Sequence, residues 1–382
     1  MSARLAKTTF WASAAGLAFS QVGYPLVLRA LPRRPLTTAP EDRGLPTVSL
    51  IVAAYAEEDV IAAKVADALA LDYPRDRLQV IVACDGSPDA TPQRALDAGA
   101  DLVLELPRGG KIRAQDAAVA RSQADVVAFS DANARWEPDA LRRLVAPFAD
   151  PEVAYVCGQV SFVNPDGATG TNQEGLYWRY EMWLRAAESE RWSVTAGNGA
   201  IYATRRADYR VVDPVMGHDL MFPFTLVRAG RRAVYAPQAR ASEKMVPSIE
   251  GEWQRKRRMM SHAWAIILRG GLLDPRGFPP PYLLMLLGHR WLRYGGPFLH
   301  LAALAASARL SGPGRATRRP VYRLALLAQL ALVAAAAAGS RAGRPGLVAR
   351  YYTLTTASIA AGLHDHLRHG TTAGWDAPEG TR

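Results

Sequence analysis

The chain has 382 residues, 49% of them apolar, and a formal net charge of +11. Such an apolar share supplies a sizeable core and excludes global disorder, and the length holds one large domain with additions or two ordinary ones. The charge admits anionic lipids and phosphorylated small molecules as partners, but no basic run is interleaved with aromatics, so no nucleic-acid partner is expected.

Residues 8–31 are the first predicted element, with about the ~20-residue apolar length that crosses a bilayer. Gln21, Gly23 and Pro25 weaken this segment without disqualifying it, since Gly and Pro are common in spanning helices. No small-x-small cleavage site follows, which favours an anchor over a removed signal peptide. Arg29, Arg33 and Arg34 follow the segment, against Arg4 and Lys7 before it, and this balance places the next domain on the cytoplasmic side. Residues 1–44 are therefore read as a membrane anchor and linker.

From Thr47 the pattern alternates. Apolar runs at 47–54 (TVSLIVAA), 78–84, 101–106 and 125–130 predict strands, and the helix-length stretches 57–70, 89–98 and 112–123 separate them. Strands alternating with helices predict an α/β fold with a parallel sheet covered on both faces. Ligands of such sheets bind beyond the carboxyl ends of the strands. The chain sets Tyr55 and Glu57 after the first strand, Asp85-Gly86-Ser87 after the second, and Asp131-Ala132-Asn133 after the fourth. Taken alone, Asp131 and Asn133 read either as a metal-binding pair or as a polar turn capping a helix near Glu137. Neither G-x-G-x-x-G nor a P-loop is present, and Gly109-Gly110-Lys111 is too short to mark a phosphate site by itself. Cys84 and Cys157 lie far apart without metal-ligand spacing and are expected as buried free thiols.

Beyond residue 150 the regularity changes. Residues 171–190 predict a helix whose Tyr177, Trp178, Tyr180 and Trp183 suit either sugar stacking or packing. In 195–203 (TAGNGAIYA), Asn198 stands between two glycines ahead of a strand, and His218 and Asp219 open a helix that ends at Gly230. Residues 250–268 put Arg255, Lys256, Arg257 and Arg258 on one helix. The soluble domain is predicted over 45–275, and residues 276–382 form a second membrane region. There, 281–308 is apolar but broken by His289, Arg290 and Arg293, which predicts a helix in the headgroup plane that turns inward at Pro297. Spans are expected at about 295–310 and 321–339, with a further candidate at 347–367.

Seven short motifs now stand in one order: Ala53-Ala54-Tyr55-Ala56-Glu57, Cys84-Asp85-Gly86-Ser87, Gly110-Lys111, Asp131-Ala132-Asn133, Gly197-Asn198-Gly199, His218-Asp219 and Glu252-Trp253-Gln254-Arg255-Lys256-Arg257-Arg258. Their order resembles the membrane-bound, inverting family 2 glycosyltransferases, the group of cellulose-, chitin- and hyaluronan-synthase-like enzymes, over about residues 47–294. Residues 23–25 (GYP), 288–293 (GHRWLR) and Trp375 also look like features of that group. The resemblance implies a GT-A fold flanked by transmembrane helices, set in a bacterial-type inner (plasma) membrane with the catalytic domain cytoplasmic. It implies sugar transfer, with inversion, from a nucleotide-diphosphate sugar (UDP-sugar before GDP-sugar) to a lipid-linked or growing cell-envelope glycan.

The same resemblance assigns roles. Asp219 becomes the general base; Tyr55, Glu57, Asp85, Lys111, Asp131, Arg255 and Arg258 bind the donor; Asn198, Gly199 and His218 meet the acceptor; and Asp131 with Asn133 holds Mg²⁺ or Mn²⁺. These residue types suit the chemistry. A single carboxylate serves as base for transfer, and the departing diphosphate needs cations aimed at it. Arginine forks match phosphate oxygens. Some positions depart from the family pattern: Ala53 and Ala56 replace its Pro and Asn, and His218 stands where an acid is usual. The basic motif also lacks the full Q-x-x-R-W form associated with processive synthases. The altered Asn133 and His218 motivate an alternative, a non-catalytic nucleotide-sugar-binding relative acting as sensor or scaffold.

Overall fold

The computed structural model describes residues 1–37, 44–163, 172–244, 249–312 and 320–374, without the side chains of 172–177 and 249–250. Trp375 and the Tyr177 side chain thus lie outside the described residues. The chain opens with α1 (Ala3–Ala18), which passes through a π turn at Phe19–Gly23 into α2 (Tyr24–Ala30). Pro25 explains that turn, because a proline has no N–H and its ring crowds the carbonyl four residues earlier.

The expected alternation follows as β1 (Val48–Ala54), α3 (Ile61–Leu69), β2 (Leu78–Asp85), α4 (Thr91–Asp97), β3 (Leu102–Leu106), α5 (Lys111–Arg121) and β4 (Val126–Asp131). These four strands are parallel, and β1, β2 and β4 are buried almost throughout, as strands covered on both faces must be. The chain then adds β5 (Arg135–Trp136), α6 (Ala140–Val145), β6 (Val153–Val163), α7 (Asn172–Arg191), β7 (Ile201–Arg205), α8 (His218–Arg228) and β8 (Arg232–Lys244). The spatial order is β3-β2-β1-β4-β7-β6-β8-β5. β7 runs antiparallel to both β4 and β6, and β5 to β8, so the sheet is mixed, while its other neighbouring strands pair in parallel. The Tyr235–Arg240 stretch of β8 bulges where Pro237 cannot join the ladder, and the register with β6 shifts between Cys157 and Gln159. A Cβ at Gly158 would lie 2.4 Å from the Ala239 carbonyl oxygen, so this crossing needs a glycine.

Helices close the chain: α9 (Ile249–Arg269), α10 (Pro280–Met285), a π turn at Leu286–Trp291, α11 (Leu292–Ser311), α12 (Pro320–Ala338) and α13 (Gly343–His369). Gly339 and Gly343, both with positive φ, turn the chain so that α12 and α13 pack together. By length and composition, Pro320–His369 is the one segment among the described residues apolar enough to cross a membrane. Leu324, Leu327, Leu330 and Val333 form an exposed stripe along α12.

One apolar cluster joins Tyr24 and Leu28 of α2 to Leu184, Leu220, Phe224, Trp264, Tyr282 and Met285, so the N-terminal helix packs on the domain. The charged row expected among headgroups is instead turned against α7. His289 is 2% exposed, with Nδ1 2.6 Å from Glu188 and Nε2 3.2 Å from Glu181. The Tyr24 hydroxyl donates to Glu188 at 2.5 Å, Arg290 donates to the Thr195 hydroxyl at 2.9 Å, and Arg293 pairs with Glu181. Buried carboxylates demand such partners, and lipid offers none.

Candidate active site

Strand register gathers the predicted residues. Ala54 pairs with Cys84 and Ala53 with Asp131, so Tyr55, Asp85 and Asp131 emerge side by side at the carboxyl edge of the parallel strands. The Asp85 carboxylate accepts the N–H of Gly109 at 2.6 Å and of Gly110 at 2.9 Å, and pairs with Arg108 at 3.3 Å. That guanidinium covers the Tyr55 ring, 3.2 Å from its centroid. Asp85 therefore shapes the loop leading into α5. Gly110 in that loop has φ +96°, and a Cβ there would lie 2.2 Å from the Ala373 carbonyl oxygen, so the segment after α13 rests on this loop.

Lys111 opens α5, and its ammonium pairs with Asp131 and lies 3.4 Å from the Gly199 carbonyl oxygen. Gly199 is near because Ser130 of β4 pairs with Ile201 of β7. Glu57 is buried; its N–H donates to the Thr91 hydroxyl at 2.8 Å and its carbonyl accepts the first N–H groups of α3. Just before it, Ala56 is the single non-glycine among the described residues with positive φ, at 50°. The Asn198 amide donates to the Gly158 carbonyl at 2.6 Å and accepts the Ile201 N–H at 2.9 Å, so it pins the glycine loop to β6.

Asp219 sits in the first turn of α8, where the helix dipole favours an anion. Its carbonyl accepts the Gly197 N–H at 2.6 Å, while no hydrogen bond or ion pair engages its carboxylate among the described residues. Its neighbour His218 is 2% exposed and turned into the core. Its Nδ1 meets the Tyr202 hydroxyl at 2.8 Å and its ring stacks on Phe222. Burial, with Lys111 adding, pushes its pKa down to about 3, so it stays neutral. On α9, Arg255 pairs with Glu252 at 2.8 Å and stands over the Phe162 ring, Lys256 shares Glu252, and Arg257 pairs with Asp365 of α13. Arg258 follows on the same helix.

Three residues join the site that no motif marked. Arg108 is one. Glu243 is another: Arg135 pairs with Ser242, which sets Glu243 one step on, beside Ala134 and close to the Asp131-Ala132-Asn133 turn. Burial raises the Glu243 pKa and the Asp131 charge adds to it, against Lys111, Arg255 and Lys64. Lys64 is the third, a 3%-exposed lysine on α3 donating to the Ala134 carbonyl at 2.6 Å beside the Trp136 ring. Burial brings its pKa down to about 7. Asp131, Asn133 and Glu243 are hard oxygen donors of the kind Mg²⁺ and Mn²⁺ prefer. Among the described residues no three His, Cys, Asp or Glu side chains converge as a metal set, so such an ion would lean on Asp131 and on oxygens brought by a substrate.

Residues 49–211 match the family model described as Glycosyl transferase family 2. The beta-monoglucosyldiacylglycerol synthase of Synechocystis sp. is 34% identical over 167 residues, covering 41% of this chain and 33% of that protein. An N-acetylglucosaminyltransferase of Rhizobium meliloti is 29% identical over 219 residues, covering 52% of this chain and 51% of the relative. The chain thus spans a third to about half the length of these relatives. Among solved structures, the mannosyltransferase PcManGT from Pyrobaculum calidifontis, in complex with GDP-Man and Mn²⁺, superposes with a TM-score of 0.69 at 25% identity, covering 94% of this chain and 99% of that one. Residues 49–211 thus resemble a glycosyl transferase family 2 domain, and the chain shares its mixed α/β fold with the solved mannosyltransferase.

Proposed function

We propose that this chain, whose residues 49–211 form a glycosyl transferase family 2 domain, moves a sugar with inversion from a nucleotide-diphosphate sugar to a lipid-linked or growing glycan at a membrane surface. One observation carries the reading. Asp85, Lys111 and Asp131 converge at one sheet edge, and the Asp219 backbone carbonyl holds Gly197 of the loop that Lys111 meets at Gly199, while the Asp219 carboxylate has no hydrogen bond among the described residues. UDP- and GDP-sugars are the donor classes to test, the first favoured by the motif resemblance and the second bound by the Pyrobaculum enzyme.

In this mechanism the nucleoside lies along Tyr55, Arg108 and the Asp85 loop, and Lys111 and Arg255 face the diphosphate. When bound at Asp131 and Asn133, with Glu243 beside them, Mg²⁺ or Mn²⁺ supplies Lewis-acid charge to the departing diphosphate. Asp219 accepts the proton of the acceptor hydroxyl as its oxygen attacks the anomeric carbon from the face opposite the diphosphate, which inverts the configuration. The neutral His218 beneath fixes α8 without competing for that proton.

A membrane setting is supported by the α12 stripe. That helix of 19 residues is about 28 Å long, matching a hydrocarbon core of about 30 Å. The test is an Asp219→Asn variant of the full chain in detergent, assayed for nucleoside diphosphate release. Turnover is expected to fall by about 10²–10⁴-fold with nucleotide binding retained. Donor consumption at the parent rate would overturn the reading.

A further inference from the structure

Lys111 meets two demands at once. Its ammonium is paired with Asp131, the carboxylate on which a divalent cation would depend, and it also faces the position assigned to the donor's diphosphate. A divalent ion and an ammonium on one carboxylate repel each other at contact range. Of the other cations nearby, Lys64 donates to the Ala134 carbonyl and Arg255 pairs with Glu252, so neither is paired with Asp131 in the way Lys111 is. Lys111 differs, since it is carried on the first residue of α5 after a glycine pair and its ammonium sits on Asp131 itself. A diphosphate would change the balance, because its oxygens accept the ammonium and at the same time complete the coordination of the cation.

We infer that Lys111 competes with the divalent cation for Asp131, and that the donor's diphosphate draws Lys111 away, so that cation and nucleotide bind as a coupled pair. This rests on the donor site proposed above. It differs from a plain phosphate-binding lysine in one sign. A phosphate ligand, once removed, weakens nucleotide binding and leaves the affinity for the cation alone unchanged. A competitor, once removed, weakens nucleotide binding but tightens the cation.

The experiment is calorimetric titration of the folded full chain in detergent with MnCl₂, alone and with saturating UDP or GDP, checked by Mn²⁺ paramagnetic resonance. In the parent protein, nucleotide is expected to tighten Mn²⁺ by about tenfold or more, within the roughly 5–150-fold range of typical couplings. Lys111→Met should bind Mn²⁺ alone about tenfold more tightly and lose most of that coupling. Lys111→Gln, which keeps a polar side chain, repeats the comparison, and Lys111→Arg, which keeps the ion pair, should return Mn²⁺ affinity to the parent value. Asp131→Asn should abolish Mn²⁺ binding in every background. If nucleotide binds the parent but neither neutral variant tightens Mn²⁺, the inference fails and the proposed function stands. If neither UDP nor GDP binds the parent with or without Mn²⁺, both fall.

Discussion

His218 sits next to the proposed base, yet burial takes it out of the chemistry. Its folded pKa is about 3 against an ordinary 6.5. The unfolded chain therefore gains a proton as pH falls through 6.5, while the folded chain gains it only near 3. Stability from this group is complete above pH 6.5 and declines as pH falls towards 3, by about 2–3 kcal/mol near pH 4.5. His218→Gln keeps an acceptor for the Tyr202 hydroxyl and should flatten that loss, read as the change in unfolding midpoint between neutral and acidic buffer. An unaltered slope would show that His218 is not the acid-sensitive group. Ala56 makes a second case. An L-residue with a Cβ pays for φ 50° by about 1 kcal/mol, and Asn tolerates that region better. Ala56→Asn should raise stability by about 0.5–1 kcal/mol in denaturant melts, and a loss would refute the strain. The placement of Asp85 and Asp131 at strand ends and of Asp219 at a helix start was legible, because each follows directly on a break in the apolar pattern. Lys64 and Glu243 were not, since their importance lies in burial beside Ala134, which no spacing encodes.

At the scale of elements, the crossing of β6 with the loop before β7 controls where the proposed base, Asp219, sits. A Cβ at Gly197 would lie 2.0 Å from the Tyr155 hydroxyl, and the Gly197 N–H holds the Asp219 carbonyl. That hydroxyl is buried and has no hydrogen-bond partner among the described residues. Gly197→Ala should thus displace the loop, costing about 1–3 kcal/mol in stability and at least about tenfold in turnover. Tyr155→Phe alone should be close to neutral, because it removes an unsatisfied hydroxyl. Combined, the two should recover part of the loss, limited by the Tyr155 ring carbons that remain close to the new Cβ. No recovery in the double variant would place the damage elsewhere. The first four strands were legible because each is a continuous apolar run between helical stretches. β6 and β8 were not, for Gly158 and the Pro237 bulge interrupt their pattern, and only the paired register repairs it. The reversed β7 follows from long-range pairing, which local periodicity does not carry.

The whole molecule presents two kinds of apolar surface, and the sequence could not tell them apart. The α12 stripe of Leu324, Leu327, Leu330 and Val333 points outward. One face each of α2, α10 and α11 points inward, where Tyr24, Tyr282, Met285 and Tyr294 join Leu184, Phe224 and Trp264, although Leu26 and Leu301 on the other faces are exposed. Hydropathy scores both alike; the difference lies in the polar groups each carries. The inward face brings His289, Arg290 and Arg293, which lipid would not accept and which Glu181, Glu188 and Thr195 of the domain do. One apolar cluster therefore has members on both sides of the boundaries read from sequence at 45 and 275. A chain trimmed to residues 45–275 would expose Leu184, Leu220, Phe224 and Trp264 as one patch and leave the Glu188 carboxylate without Tyr24 and His289. An exposed patch joined to an uncompensated buried charge drives association and costs several kcal/mol, on the order of 3–5 for the broken ion pair alone. That fragment is expected to aggregate or melt well below the full chain in detergent, measured by size-exclusion chromatography and thermal unfolding. A monodisperse fragment with the full chain's melting temperature would show instead that the flanking helices are separable from the catalytic domain.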